Sequence, residues 1–184
     1  MSTRILPHDL ECERAVLGAV LMDDKAIHSA SDTLQSDDFY QESHRYIFQA
    51  MLNLATESTP IDLWTLKSEL QNTDKLDKSG GSSYLADLTS GTPKISNTRH
   101  YASIIKEKSA ARMLIQLGNE LMTTAWDQPN ATKEILESVQ TRIFKISNRT
   151  NGSGLRPIAD LVHDEYAELY ERIQGRRDQH VVMS

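Results

Sequence analysis

The stretch ARMLIQLGNELMTTAWDQPNATKEILESVQTRIFKI, residues 111–146, decides the architecture. Its first part sets Ala111, Leu114, Ile115, Gly118, Leu121, Met122 and Ala125 along one face of a helix that starts near Asn97 and runs towards Trp126. Asp127 to Asn130, with Pro129 among them, breaks that helix, because proline lacks the amide the ladder needs. Beyond the break, Leu136, Val139, Ile143 and Ile146 recur at steps of three, four and three, the narrow seam of a coiled coil. Two long seams joined by a short polar turn predict an antiparallel helical hairpin over 97–149. Such a hairpin buries only one side of each helix. Ile135 and Phe144 lie off the strict seam, and Met113 and Leu117 flank the first stripe. That surplus apolar surface predicts pairing with a second hairpin, through Leu114, Ile115, Leu121, Ile135, Val139, Ile143 and Phe144.

Upstream, the pattern is helical nearly throughout, with Gly and Pro at the edges of segments. Residues 1–8 read as a tail and 9–96 as a globular helical subdomain. Ile47, Ala50, Met51, Leu54 and Ala55 build one buried stripe. Asp62 is placed to cap a helix, with Ile61 and Leu66 at the spacing of a hydrophobic staple. Thr73 to Gly81 reads as a loop, after which Ser82 or Ser83 would cap a short helix ending at Leu88. Downstream, residues 150–156 hold Gly152-Ser153-Gly154, the chemistry of a flexible linker. Pro157 then suits the first turn of a linker helix over 157–175. Its stripe of Ile158, Val162, Tyr166, Leu169 and Ile173 has no later partner in the chain, which marks it for docking on another surface. Residues 176–184 form a tail. The fold class expected is all-α: a compact helical head, a long antiparallel hairpin and a separate C-terminal linker helix.

Composition narrows the function. The chain has 184 residues, suits one domain with an appendage, and carries a net charge of −6. A module built to grip phosphates normally shows a basic face, so protein partners come first. No apolar run approaches the ~20 residues that span a bilayer, and Met1 to Pro7 has no signal-like apolar core. Cys12 is alone, so no disulfide framework or thiolate zinc cluster is expected, and a cytoplasmic setting fits.

Signals of chemistry are weak. Gly-x-x-x-x-Gly-Lys-Ser/Thr is absent, so nucleotide binding through a phosphate loop is not expected. His8, His28, His44, His100, His163 and His180 lack metal-ligand spacing and read as surface or capping histidines. The acidic pairs Glu11/Glu13, Asp23/Asp24 and Asp37/Asp38 read as solvated groups at helix edges. Arg99, His100, Lys106, Lys108 and Arg112 make one helix locally basic. The strip reads first as a solvated face and second as a contact for nucleic acid or an acidic partner. No catalytic, cofactor-binding or metal site is expected.

The segments also form an ordered set. Pro7-His8-Asp9-Leu10-Glu11 runs into Ala15-Val16-Leu17-Gly18-Ala19-Val20-Leu21. Then come Asp38-Phe39-Tyr40 with His44-Arg45-Tyr46-Ile47-Phe48, next Pro60-Ile61-Asp62-Leu63-Trp64-Thr65-Leu66, and then Gly80-Gly81 before Tyr84-Leu85-Ala86-Asp87-Leu88. From about Pro7 to about Gln174 this order resembles the amino-terminal domain of the DnaB family of bacterial replicative helicases. Asn119-Glu120 in mid-helix and Arg142-Ile143-Phe144-Lys145-Ile146 at the hairpin's close agree with it. The resemblance implies hairpins that pair, three pairs forming a hexameric collar, a primase docking on that collar, and a linker helix seated on the neighbouring motor. It links Asp62 and Tyr84 to primase response or collar structure; as bare residues they read as a cap and a core aromatic. For the intact helicase it implies ATP and Mg, a helicase loader and single-stranded DNA, none of them held by this chain. After Gln174 the family's Thr-Gly entry to the motor is replaced by Gly175-Arg176-Arg177-Asp178-Gln179-His180. That departure fits a fragment, the alternative being a motorless homologue that binds nucleic acid or regulates the helicase.

Overall fold

A computed structural model describes residues 5–90, 97–128 and 130–150. Among these the chain is all helical, with seven α-helices and no strand. The linker at 150–156, the linker helix at 157–175 with Ile158, Val162, Leu169 and Ile173, and the tail at 176–184 lie outside the described residues, apart from the backbone of Thr150.

Helix α1 (Leu10–Met22) begins where the Asp9 carboxylate accepts from the Cys12 amide at 3.0 Å. One of the four orphan amides of a helix start is thereby satisfied. Short α2 (Ala26–Ser31) follows, and a single 3-10 turn at Ser36–Asp38 leads into α3 (Glu42–Thr56). The expected stripe on α3 is buried: Ile47, Ala50, Met51 and Leu54 join the core, with Ala55 packed at its edge, and Phe48 joins them. Helix α4 (Leu63–Asn72) carries the predicted cap. Asp62 accepts from the amides of Trp64 at 2.8 Å and Thr65 at 2.9 Å, while the Thr65 hydroxyl returns to the Asp62 amide. Ile61 and Leu66 are both buried beside it, as the staple spacing requires.

Helix α5 (Gly81–Thr89) starts differently from the serine cap expected. Gly80, at φ +91°, turns the chain directly into the helix, with no side-chain cap. A Cβ on Gly80 would stand 2.8 Å from the Tyr84 Cβ, so glycine is required by both backbone and space.

Helices α1 to α5 close around Val16, Leu17, Phe39, Phe48, Met51, Leu66, Leu70 and Leu85. Each such side chain contributes roughly 1.5–3 kcal/mol by leaving water. Helix α6 (Thr98–Asp127) serves two regions. Its first half places Ala102 and Ile105 in that core, so the head continues past the helix start at residue 98. Its second half leaves the head and pairs with α7 (Thr132–Thr150). Arg142 reaches Glu120, and Arg149 reaches Met113 Sδ at 3.7 Å; residue numbers rise on one helix as they fall on the other, so the pair is antiparallel.

Candidate functional site

The hairpin has an inner and an outer apolar face, and their register differs from the seam read in the sequence. A groove of about 600 Å³ between the helices is lined by Leu117, Leu121 and Thr124 of α6 and by Ile135, Val139 and Arg142 of α7. Towards the head the lining continues through Met113, Ile146 and Arg149. The inward positions on α7 are therefore 135, 139, 142 and 146. Leu136 and Ile143, expected in the seam, point outward instead, and Ile135, expected off it, points in. The reason is Arg142, which occupies an inward position and pairs with Glu120. A reading based on aliphatic letters alone passes over it and takes the neighbouring Ile143. On α6, likewise, Met113 and Leu117 face α7, while Leu114, Ile115 and Met122 face solvent. The outer face thus holds Leu114, Ile115, Met122, Trp126, Leu136, Ile143 and Phe144, all substantially exposed.

Where the hairpin meets the head, a buried carboxylate ties the parts together. Asp38 accepts from Lys106 Nζ at 2.7 Å, Ser109 Oγ at 2.8 Å, the Gln35 amide at 2.8 Å and Arg149 Nη2 at 3.4 Å. Arg112 donates to the carbonyls of Asp38 and Pro7, and Arg149 donates also to Gln35 Oε1 at 2.9 Å. Burial holds the Arg112 pKa below its usual range, with the nearby Arg45 charge acting in the same direction. Both the solvated-face and the nucleic-acid readings of the basic strip therefore fail for Lys106 and Arg112. They turn inward to Asp38, which is itself buried rather than a solvated edge group. An isolated charge inside a fold is expensive, and pairing with hydrogen bonds on both sides is what makes this one tolerable.

A second buried chain links three helices of the head. Glu13 on α1 accepts from the amides of Tyr40 at 2.6 Å and Gln41 at 3.3 Å, just ahead of α3, where a helix start favours negative charge. His44 Nδ1 lies 2.6 Å from Glu13 Oε2, and His44 Nε2 lies 2.6 Å from the Tyr84 hydroxyl. Burial raises the Tyr84 pKa. Glu13 and His44 are thus fully enclosed, contrary to their reading as surface groups. Tyr84 is half-buried and hydrogen-bonded, while Asp62 acts as the cap described, its pKa lowered chiefly by the Thr65 amide. The structure does not bring Asp62 and Tyr84 into a hydrogen-bonded contact.

Buried Cys12 has its thiol pKa pushed up to about 11, mainly by desolvation, and is a packing residue rather than a nucleophile. Among the described residues no group of three or more His, Cys, Asp or Glu could hold a metal, and no helix is long and apolar enough to cross a membrane. The glycine pair at 80–81 offers no phosphate cradle, because Tyr84 fills the space beside Gly80 and no lysine follows.

Sequence reasoning missed Glu13, His44, Asp38, Lys106 and Arg149 as structural groups. A faint signal existed for Lys106: it falls four residues after Ala102, on the buried side of α6.

Comparison with known proteins agrees with this geometry. The family described as DnaB-like helicase N terminal domain matches residues 5–107. The replicative DNA helicase DnaC of Bacillus subtilis (strain 168) is 35% identical over 177 residues, covering 96% of this chain and 39% of that protein. The replicative DNA helicase DnaB of Geobacillus stearothermophilus is 35% identical over 165 residues, covering 90% and 36% respectively. The chain thus spans well under half the length of these relatives. The crystal structure of the N-terminal domain of DnaB helicase from Mycobacterium tuberculosis is similar at a TM-score of 0.72 and 31% identity, covering 76% of this chain and 99% of that one. A DnaB-like replicative helicase studied with its interactions with primase shares the fold at a TM-score of 0.61 and 18% identity, covering 86% of this chain and 35% of that one. With the helical head, the antiparallel hairpin and the match over more than half its residues taken together, the chain belongs to the DnaB-like helicase N-terminal domain family.

Proposed function

We propose that this chain is the collar module of a replicative helicase: a self-associating unit that pairs through its hairpin and presents a docking surface for primase. The observation that carries this reading is the outward apolar stripe of the hairpin. Leu114, Ile115, Met122, Trp126, Leu136, Ile143 and Phe144 stand in solvent on two helices whose inner faces are already occupied by each other. Apolar surface of that extent and continuity marks an interaction site. A second copy is the natural occupant, since an isologous pair matches each stripe with its own equivalent. Three such pairs would build the hexameric collar.

Asp62 and Tyr84 are assigned to the head's response to primase, acting through the shape of α4 and α5. Ile158, Val162, Leu169 and Ile173 are assigned to docking the linker helix on a neighbouring subunit. In a protein of the relatives' full length, ATP and Mg would serve a motor domain outside these residues. That motor would act on single-stranded DNA in the cytoplasm and be placed there by a loader.

Sedimentation equilibrium of the chain, alone and with its cognate primase, tests the proposal. A reversible dimer or larger species that also binds primase is expected. A strict monomer indifferent to primase at high micromolar concentration would contradict it.

A further inference from the structure

A cleft of about 470 Å³ lies where the N-terminal segment, the 3-10 turn, α3, α6 and the end of α7 converge. Arg45, Arg112 and Arg149 line it, together with Asp37, Leu6, Met113, Ile115 and Asn119. We infer that this cleft binds an acidic peptide, seating a carboxylate against the guanidinium groups and an aliphatic side chain against Leu6, Met113 and Ile115.

The charge around the cleft is unbalanced. Four cations, Lys106, Arg45, Arg112 and Arg149, stand against three carboxylates, Asp37, Asp38 and Glu13, in a chain whose net charge is negative. Of the three arginines only Arg149 contacts a carboxylate, at 3.4 Å, and that carboxylate already holds Lys106. Arg112 gives two of its donors to backbone carbonyls. Arg45 donates its Nε to the Phe39 carbonyl at 2.6 Å and has no carboxylate within ion-pair distance among the described residues.

Hydrogen bonding points the same way. Arg45 commits only its Nε, to the Phe39 carbonyl, which leaves its two terminal nitrogens for the cleft, and Arg112 keeps donors beyond its two backbone bonds. The cleft therefore holds an excess of planar donors, and acceptor-only carboxylates match guanidinium forks in pairs.

The rim of the cleft is apolar, with Leu6 and Ile115 partly exposed. It suits a peptide with aliphatic side chains better than a polynucleotide, whose backbone offers none.

The cleft is separate from the outer hairpin stripe in most of its lining; Ile143 and Phe144 do not touch it. The test is fluorescence anisotropy of the full chain with a labelled acetyl-Asp-Leu-Asp-Leu peptide, with an oligothymidine and inorganic phosphate as parallel probes. Saturable, salt-sensitive peptide binding is expected. Asn119→Asp, isosteric and exposed, should weaken it by about tenfold, Asp37→Asn should tighten it, and Arg45→Gln should lose at least as much as Asn119→Asp. Ile143→Asp should leave it unchanged, which separates this site from hairpin pairing. The inference is overturned by absence of saturable peptide binding up to millimolar concentration, by binding that ignores these variants while their melting curves match the parent, or by oligothymidine or phosphate outcompeting the peptide at the same residues.

Discussion

The head and the hairpin solve the burial problem in opposite ways. In the head, five helices and half of a sixth surround one core, and Leu17, Phe39, Phe48 and Leu66 are fully enclosed. In the hairpin, two helices shield one side of each other and leave Trp126 82% and Phe144 66% exposed. The head can therefore be stable by itself, whereas the hairpin's remaining apolar surface gains only by meeting another molecule. Helix α6 runs through both, and the Asp38 carboxylate adds an electrostatic tie, collecting Lys106 from the head half of α6 and Arg149 from the end of α7. The difference places folding energy in one region and association energy in the other.

The largest effect should come from breaking the joint. Asp38→Ala leaves Lys106 buried without its carboxylate and is expected to cost about 3–5 kcal/mol in urea unfolding. A loss under 1 kcal/mol would mean that the lysine swings freely to solvent. Next comes Ile143→Asp. The site is 50% exposed in the single chain, so unfolding at low concentration should change by no more than about 0.5 kcal/mol. Association should weaken by about a hundredfold, because the new charge would be buried without a partner at the interface. Substantial unfolding of the lone chain would instead place Ile143 inside the hairpin.

Gly118 sharpens the same contrast. Nothing lies within 4 Å of a Cβ built there, so Gly118→Ala should stabilise the isolated helix by about 1 kcal/mol. If a partner helix approaches closely at this gap, the same change weakens pairing, and thermal melts at low and high concentration separate the two. Asp62→Ala is the smallest and belongs wholly to the head, at about 1 kcal/mol near neutral pH. Because the folded Asp62 pKa is depressed, its contribution is present above the ordinary carboxylate range and fades as pH falls through the folded value. Parent and variant stabilities should converge in acid; a difference that persists there would assign the cap's effect to something other than its charge.

Much of this contrast was legible in the letters. The stripe on α3, the cap at Asp62, the break after Asp127 and the two-helix hairpin all follow from periodicity and turn chemistry. The hidden parts are charged. Glu13, Asp38 and Lys106 read as surface residues because such side chains are seldom buried unless paired. Their partners lie 31, 68 or 71 positions away in sequence, beyond any local pattern. Arg142 misled in a related way: a polar pair in the seam shifted the apparent register by one residue. The start of α5 was obscured for a third reason. The serines at 82 and 83 have capping chemistry, but the left-handed turn at Gly80 had already opened the helix.

The two tryptophans of the chain report on the two regions separately, since Trp64 lies on the head, 80% exposed, and Trp126 on the outer hairpin face. Emission spectra of Trp64→Phe and Trp126→Phe, recorded from nanomolar to high micromolar concentration, test the division most directly. A concentration-dependent blue shift is expected when Trp126 is the remaining reporter, and none when Trp64 is. A shift confined to Trp64, or no shift from either, would contradict it.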